Sequence, residues 1–293
     1  MLRRAFFVIT IALCLPVQGA GLEAPQVMTY RKIEGHELKA HVFVPTGKPS
    51  GAAILLFHGG GWSMGAPEWT YPAARRFAAL GLTAVAVEYR LTDEKLTPAD
   101  ALDDTCAAFA WIRQNAKKFG IDVHRVAGYG VSAGGQLVAG AATIGCREVG
   151  VAGRPNALLL WSAAIDLSRD HWFERQFHGK ATSLEYSPAQ HVGPTTPPTS
   201  IVHGEKDTLT PLTGAETFCQ QLRGFGVRCD LHVYPGVGHL LTRNLADQED
   251  NFDPDPADTA DGIAQFDTFL AELGYTSVAS KEPPASARPH PGS

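Results

Sequence analysis

The stretch Gly130-Val131-Ser132-Ala133-Gly134 decides how this chain is read, because of what stands on either side of it. Arg125-Val126-Ala127-Gly128-Tyr129 has the apolar content of a strand, and Gln136-Leu137-Val138-Ala139 continues as a helix. A strand that turns straight into a helix leaves almost no room for side chains, so glycines are needed two residues before and after the serine. The turn that results lifts one hydroxyl, that of Ser132, clear of the end of a sheet.

Outward from this turn, apolar runs alternate with helical patterns from about residue 40 to residue 272. Strands are expected at 52–57, 83–89, 125–129, 158–162, 200–203 and 231–234. Helices are expected at 72–80, 98–119, 132–143, 211–223 and 262–273, and residues 26–33 and 36–44 read as an edge hairpin. This alternation predicts an α/β fold, a mostly parallel central sheet flanked by helices. Ligands of such sheets bind beyond the carboxyl ends of the strands, so the loops that follow strands are where chemistry is to be sought. The one substantial insertion over those ends, residues 166–192, reads as a short lid carrying Trp172, Phe173, Phe177 and Tyr186.

The chain has 293 residues, 44% of them hydrophobic, and a formal net charge of −5. That is enough to bury a large core and too neutral for an electrostatic nucleic-acid binder. Residues 1–20 read as a signal peptide: Arg3 and Arg4 start it, an apolar run spans 6–15, and Gly19, Ala20 and Gly21 supply small residues for cleavage. The run is about half the ~20 residues a bilayer span needs, which argues for export to the periplasm or beyond and against stable membrane insertion. A catalytic domain is expected over 25–275 and a disordered, Pro- and Ser-rich tail over 276–293. Removal of the leader leaves Cys106, Cys146, Cys219 and Cys229. An even number in an oxidising compartment makes disulfides plausible. Cys219 on a helical pattern and Cys229 opening a strand, with Gly224-Phe225-Gly226 between them, form the preferred pair; four buried free thiols are the alternative.

A serine hydroxyl is a poor nucleophile at neutral pH and needs an imidazole to take its proton and a carboxylate to orient that imidazole. In the order serine, acid, histidine, the acid follows the next strand but one and the histidine follows the last. Asp207, after Ile201-Val202-His203-Gly204, and His239, after Val233-Tyr234-Pro235-Gly236-Val237-Gly238, meet that order. Asp166 and Glu205 are rival acids; His203 is the rival base, though the end of a buried strand suits a packed histidine better. The tetrahedral intermediate of acyl transfer needs preorganised N–H donors, and His58-Gly59-Gly60-Gly61-Trp62 supplies bare backbone directly after a strand. Gly60, Gly61 and Ala133 are the expected oxyanion-hole donors, with His58 holding the loop. Trp62, Trp172 and Phe173 are expected to line the substrate pocket. No CxxC or HxxxH spacing occurs, and the acidic run after His239 (Asp247, Glu249, Asp250, Asp253, Asp255, Asp258, Asp261) is too irregular for a calcium loop. No metal or other cofactor is expected.

The segments HGGGW, Glu88-Tyr89-Arg90-Leu91, Asp103-Asp104, GVSAGG, HGEKD and YPGVGH together resemble the α/β-hydrolase esterases of the hormone-sensitive-lipase-like and bacterial acetyl esterase groups. The resemblance covers residues 40–272 and implies the same Ser132, Asp207 and His239 triad. It implies a serine esterase acting on small-molecule or carbohydrate esters, with acetyl groups on polysaccharides among them. Val131, where that group commonly has an acidic residue, and the lack of a long N-terminal cap point away from bulky lipids. Two other classes share the fold: a serine peptidase of the prolyl oligopeptidase type, against which the HGGG loop speaks, and a non-catalytic binding module, against which the complete triad speaks.

Overall fold

Eight strands hydrogen-bond into one sheet in the order β1-β2-β4-β3-β5-β6-β7-β8. They are β1 (Gln26–Ile33), β2 (His36–Phe43), β3 (Ala53–Phe57), β4 (Thr83–Val87), β5 (Val126–Val131), β6 (Ala157–Trp161), β7 (Thr199–Gly204) and β8 (Cys229–Tyr234). The structure, a computed structural model, describes residues 24–276. The leader at 1–20 and all of the expected tail beyond Thr276 lie outside the described residues. β1 and β2 form the expected hairpin, β2 runs antiparallel to β4, and the remaining six strands are parallel.

The pleat sorts β3 into two cores. Ile54 and Leu56 pack with Ala74, Phe77 and Ala78 of α1 (Tyr71–Ala79) and with Phe266, Phe269 and Leu270 of α7 (Pro256–Glu272). Ala53, Leu55 and Phe57 face the other layer, made of α2 (Pro98–Gln114), α4 (Ala133–Thr143) and α6 (Leu212–Gly224). Because both faces are covered, β3, β4, β6 and β7 are buried along their whole length, and their sequences read as continuous apolar runs rather than as alternation.

Two helix boundaries differ from the sequence reading. The single helix expected at 98–119 breaks at Asn115, whose φ of −96° and ψ of 10° leave the helical region while its side-chain amide donates to the Trp111 carbonyl at 2.9 Å; α3 (Ala116–Phe119) follows. The last helix starts earlier, at Pro256, because the Asp255 carboxylate caps it, accepting the N–H groups of Ala257 (2.9 Å) and Asp258 (3.1 Å).

Cys219 and Cys229 are bonded, with Cα atoms 5.3 Å apart, and so are Cys106 and Cys146, with Cα atoms 5.6 Å apart. The first bridge joins α6 to the start of β8, the second α2 to the segment after α4. Chain-entropy arithmetic gives about 3 kcal/mol for the shorter loop and about 4 kcal/mol for the longer. Reduction is therefore expected to lower the melting temperature while leaving turnover at 25 °C intact, since neither bridge lies at the carboxyl edge of the sheet. A non-reduced digest checks the pairing; four alkylated thiols in protein from an oxidising compartment would overturn it.

Candidate active site

Ser132 stands between the end of β5 and the start of α4 with φ 51° and ψ −116°, a conformation that an L-residue rarely adopts. Close packing enforces it. A Cβ at Gly130 would run into the Gly134 carbonyl, and one at Gly134 into the carbonyl oxygens of Phe57 and His58. The Ser132 N–H donates to the Trp161 carbonyl at 3.0 Å, and its own carbonyl accepts from Gly135 and Ala164. The strain is thus held from β6 as well as from α4.

The three chemistry-bearing side chains meet at the carboxyl edge. His239 Nε2 lies 3.1 Å from Ser132 Oγ, and His239 Nδ1 lies 2.8 Å from Asp207 Oδ2. A carboxylate only accepts, so Nδ1 carries the proton and Nε2 presents its lone pair to the serine hydroxyl. Asp207 is buried, and burial alone would push its carboxyl up. The hydrogen bond and charge of His239, the charge of His203 and the Thr210 N–H outweigh that and hold it below the usual carboxylate range. His203, the rival base, donates Nε2–H to the Thr210 carbonyl at 2.6 Å, and burial pushes its pKa down. Asp166, the rival acid, turns to Ser168 and Ser187. Glu205 is exposed and accepts from the Gly236 N–H.

The glycine-rich loop abuts the nucleophile. A Cβ at Gly59 would sit 3.2 Å from Ser132 Cβ, and Gly60 and Gly61 both take positive φ, 105° and 57°. Their N–H groups engage no protein acceptor among the described residues, and Ala133, as the first residue of α4, has no intrahelical acceptor. His58 is buried beneath the loop: its Nδ1 hydrogen-bonds the Gly59 carbonyl at 2.7 Å, and its ring stacks on Tyr89 with centroids 4.4 Å apart. The Tyr89 hydroxyl donates to the His58 carbonyl at 3.0 Å. Next to it, Arg90 pairs with the fully buried Asp104 through Nε–Oδ2 (2.8 Å) and Nη2–Oδ1 (3.0 Å), tying the segment after β4 to α2.

Two of the three expected pocket residues are corrected by burial. Trp62 is 3% exposed, donates its indole N–H to Gln136 Oε1 at 2.9 Å and packs on Phe173 at 4.5 Å; Phe173 is 0% exposed and packs edge-on against Phe177. They anchor α5 (His171–Arg175) of the lid to the glycine-rich loop and offer no surface to a substrate. Trp172, the neighbour of Phe173, is 47% exposed, and its Cη2 would lie 2.8 Å from a Cβ at Gly61. Its ring therefore overhangs the oxyanion loop. Among the described residues no group of three or more His, Cys, Asp or Glu side chains is placed to hold a metal ion, and no helix is long and apolar enough to cross a membrane.

Comparison with known proteins agrees with this fold. A family profile described as an alpha/beta hydrolase fold matches residues 54–185. Esterase 2 of Thermogutta terrifontis, solved with propionate bound, superposes with a TM-score of 0.76 over 88% of this chain and 97% of that one, at 27% identity. The fold is that of the α/β-hydrolases, and the solved structures it resembles include esterases. The carboxylesterase NlhH of Mycobacterium tuberculosis is 42% identical over 120 residues, 39% of this chain and 36% of that protein. An acetylxylan esterase of Xylanibacter ruminicola is 29% identical over 212 residues, 67% of this chain and 42% of that protein. The matched stretch thus spans between about a third and a half of the length of these two relatives.

Three side chains of this α/β-hydrolase support the triad without any sequence signal. Thr210 Oγ1 lies 2.9 Å from Asp207 Oδ2 and 3.0 Å from the Ser162 carbonyl, and its N–H donates to Asp207 Oδ1 at 2.8 Å. Ser162, at φ 43°, accepts the Leu240 N–H on its Oγ. Buried Gln248 accepts the N–H of His239 (2.9 Å) and Thr208 (3.2 Å) and donates to the Lys206 carbonyl (3.0 Å). One amide thus locks the histidine turn to the turn that carries the acid.

Proposed function

We propose that this chain is an exported serine carboxylic ester hydrolase cleaving short acyl esters through an acyl-enzyme. The observation that carries the reading is one continuous line of hydrogen bonds, Asp207 to His239 to Ser132, ending where Gly59 of the glycine-rich loop abuts the serine. As Ser132 Oγ bonds to the ester carbonyl carbon, its proton passes to His239 Nε2 and the carbonyl oxygen becomes an oxyanion facing Gly60, Gly61 and Ala133. When the intermediate collapses, the C–O bond to the alcohol breaks and Nε2 returns the proton to the departing oxygen. Water, deprotonated by the same nitrogen, then attacks the acyl-serine, and the carboxylic acid leaves with Ser132 restored. Asp207 remains ionised throughout.

A short acyl group suits the overhang of Trp172 on Gly61, with Trp62 and Phe173 filling the space behind it. The propionate and butyrate complexes of the Thermogutta esterase, and the acetylxylan esterase among the relatives, support small acyl groups here too. Catalytic efficiency is expected to peak between acetyl and butyryl esters and to fall steeply beyond about eight carbons. Trp172→Ala should move the optimum to longer chains, since removing the indole opens the wall; p-nitrophenyl esters of increasing length measure both. Equal or better turnover of long-chain triglycerides by the unaltered protein would refute the small pocket. A serine-directed phosphonate should label Ser132 and stop hydrolysis, whereas chelators should leave it running. Export rests on the basic start and apolar run of residues 1–20; N-terminal sequencing of protein from a periplasmic or culture fraction should find that segment removed.

A further inference from the structure

The side of the site on which the alcohol departs is set by the base. In the ester-hydrolase reading, on which this inference rests, His239 Nε2 hands its proton to the alcohol oxygen, so the alcohol must lie alongside the imidazole as its bond breaks. Phe252 flanks that imidazole, with ring centroids 6.2 Å apart at 50°, and it is 39% exposed although large and apolar.

Phe252 is held in place rather than hung on a loose loop. Directly below it the Arg243 N–H donates to the Asp253 carbonyl (2.8 Å), the Asp253 N–H donates to Thr242 Oγ1 (2.8 Å), and Thr242 bridges to Pro254. The Arg243 guanidinium grips both oxygens of the Asp253 carboxylate, at 2.7 and 3.0 Å. Gln248, in the middle of the same loop, is buried and bonded to the His239 N–H. The loop from Thr242 to Pro254 is therefore closed at its neck and fastened to the base itself. The phenyl ring stands on this support beside the imidazole, with over a third of the residue open to solvent.

We propose that Phe252 is a specificity-determining platform for the leaving group and that it takes an uncharged, ring-bearing alcohol, a pyranoside or a phenol lying flat against the phenyl face. An aromatic face attracts a flat or CH-rich ring by dispersion and offers a short aliphatic alcohol almost nothing. The requirement for an uncharged alcohol follows from the same loop: Asp247, Glu249 and Asp250 are exposed, and its one basic side chain, Arg243, is neutralised by Asp253. An alcohol carrying a carboxylate meets like charge there.

Acetates that share one acyl group isolate the alcohol, because all of them pass through the same acetyl-enzyme. Methyl acetate, phenyl acetate, an O-acetylated methyl xyloside and an O-acetylated methyl glucuronide are compared by kcat/KM in the unaltered protein, Phe252→Ala and Phe252→Tyr. Phe252→Ala is expected to lower kcat/KM for the ring-bearing neutral acetates about tenfold more than for methyl acetate, and Phe252→Tyr to restore most of it. The phenyl and xyloside arms show which ring is preferred, and the glucuronide should be a poor substrate of the unaltered protein. Equal losses on methyl acetate and on the ring-bearing acetates would mean that Phe252 acts on His239 alone, which overturns the proposal, as does no loss on either ring. If the unaltered protein hydrolyses none of the four, the ester-hydrolase reading itself fails, and this inference goes with it.

Discussion

Ser132→Ala is expected to lower ester turnover by about 10⁴- to 10⁶-fold, and His239→Ala by a similar factor, with the fold intact in both. Neither side chain belongs to the two hydrophobic cores: the serine hydroxyl points to His239, and the imidazole bonds to Ser132, Asp207 and Thr210. Asp207→Asn should cost less, about 10⁴-fold, since the nucleophile and base remain and only the tautomer and orientation of His239 suffer. That residue carries a second expected effect. Its folded-state pKa lies below the ordinary carboxylate value, so its ionisation stabilises the fold at pH values above about 4. The contribution is lost as pH falls through the depressed value. Steady-state kinetics on a short acyl ester, alongside circular dichroism, separate loss of chemistry from loss of structure. Retention of more than a tenth of the turnover by Ser132→Ala would end the assignment of the nucleophile.

Gly134→Ala is expected to be nearly as damaging to turnover and to remove about 3 kcal/mol or more of stability. The added methyl would fall on two backbone carbonyls, those of Phe57 at the end of β3 and His58 at the head of the oxyanion loop, and neither can swing aside as a side-chain tip would. Either α4 withdraws from β3 or the glycine-rich loop is pushed away from Ser132, and both separate the nucleophile from its oxyanion donors. Gly140→Ala in the same helix is the control. There the nearest atoms are the tips of Leu102 at 3.3 Å, Gln136 at 3.5 Å and Ile144 at 3.5 Å, so the methyl is accommodated and helix propensity favours alanine by up to about 1 kcal/mol. Urea midpoints of the two variants decide it: a Gly134→Ala protein as stable and active as its parent would show that the tight elbow is not what holds the site.

The parts of the site that were legible in the sequence share one property: their roles are fixed by short-range backbone demands. The serine needs a turn without side chains, and the oxyanion loop needs bare N–H groups directly after a strand. Acid and base need only follow particular strands, so Ser132, Asp207 and His239 stand out by motif and by position in the alternation. The supporting residues carry no such mark. Gln248 reaches His239 only because the loop from Thr242 to Pro254 folds back over the histidine turn, and a glutamine in an acidic loop reads as surface. Cys106 and Cys146 are 40 residues apart with no turn to suggest a pairing, whereas the 10 residues from Cys219 to Cys229 form a helix-to-strand connection that could be read directly.

Trp172 and Phe173 show where sequence reading stops. Both are aromatic, they are adjacent, and both were expected to line the pocket. On the single turn of α5 consecutive side chains diverge by about 100°, and the packing of Trp62 and Phe177 sends Phe173 inward and leaves Trp172 over Gly61. By itself the sequence determined the α/β alternation, the elbow at Ser132 and the order of the triad, because period, glycine spacing and strand-to-loop order are local properties of a chain. Tertiary structure alone decided which aromatic overhangs the oxyanion loop, which amide locks the base and which phenyl ring flanks it. Those outcomes depend on how surfaces far apart in the chain compete for the same space, and no local pattern records that competition.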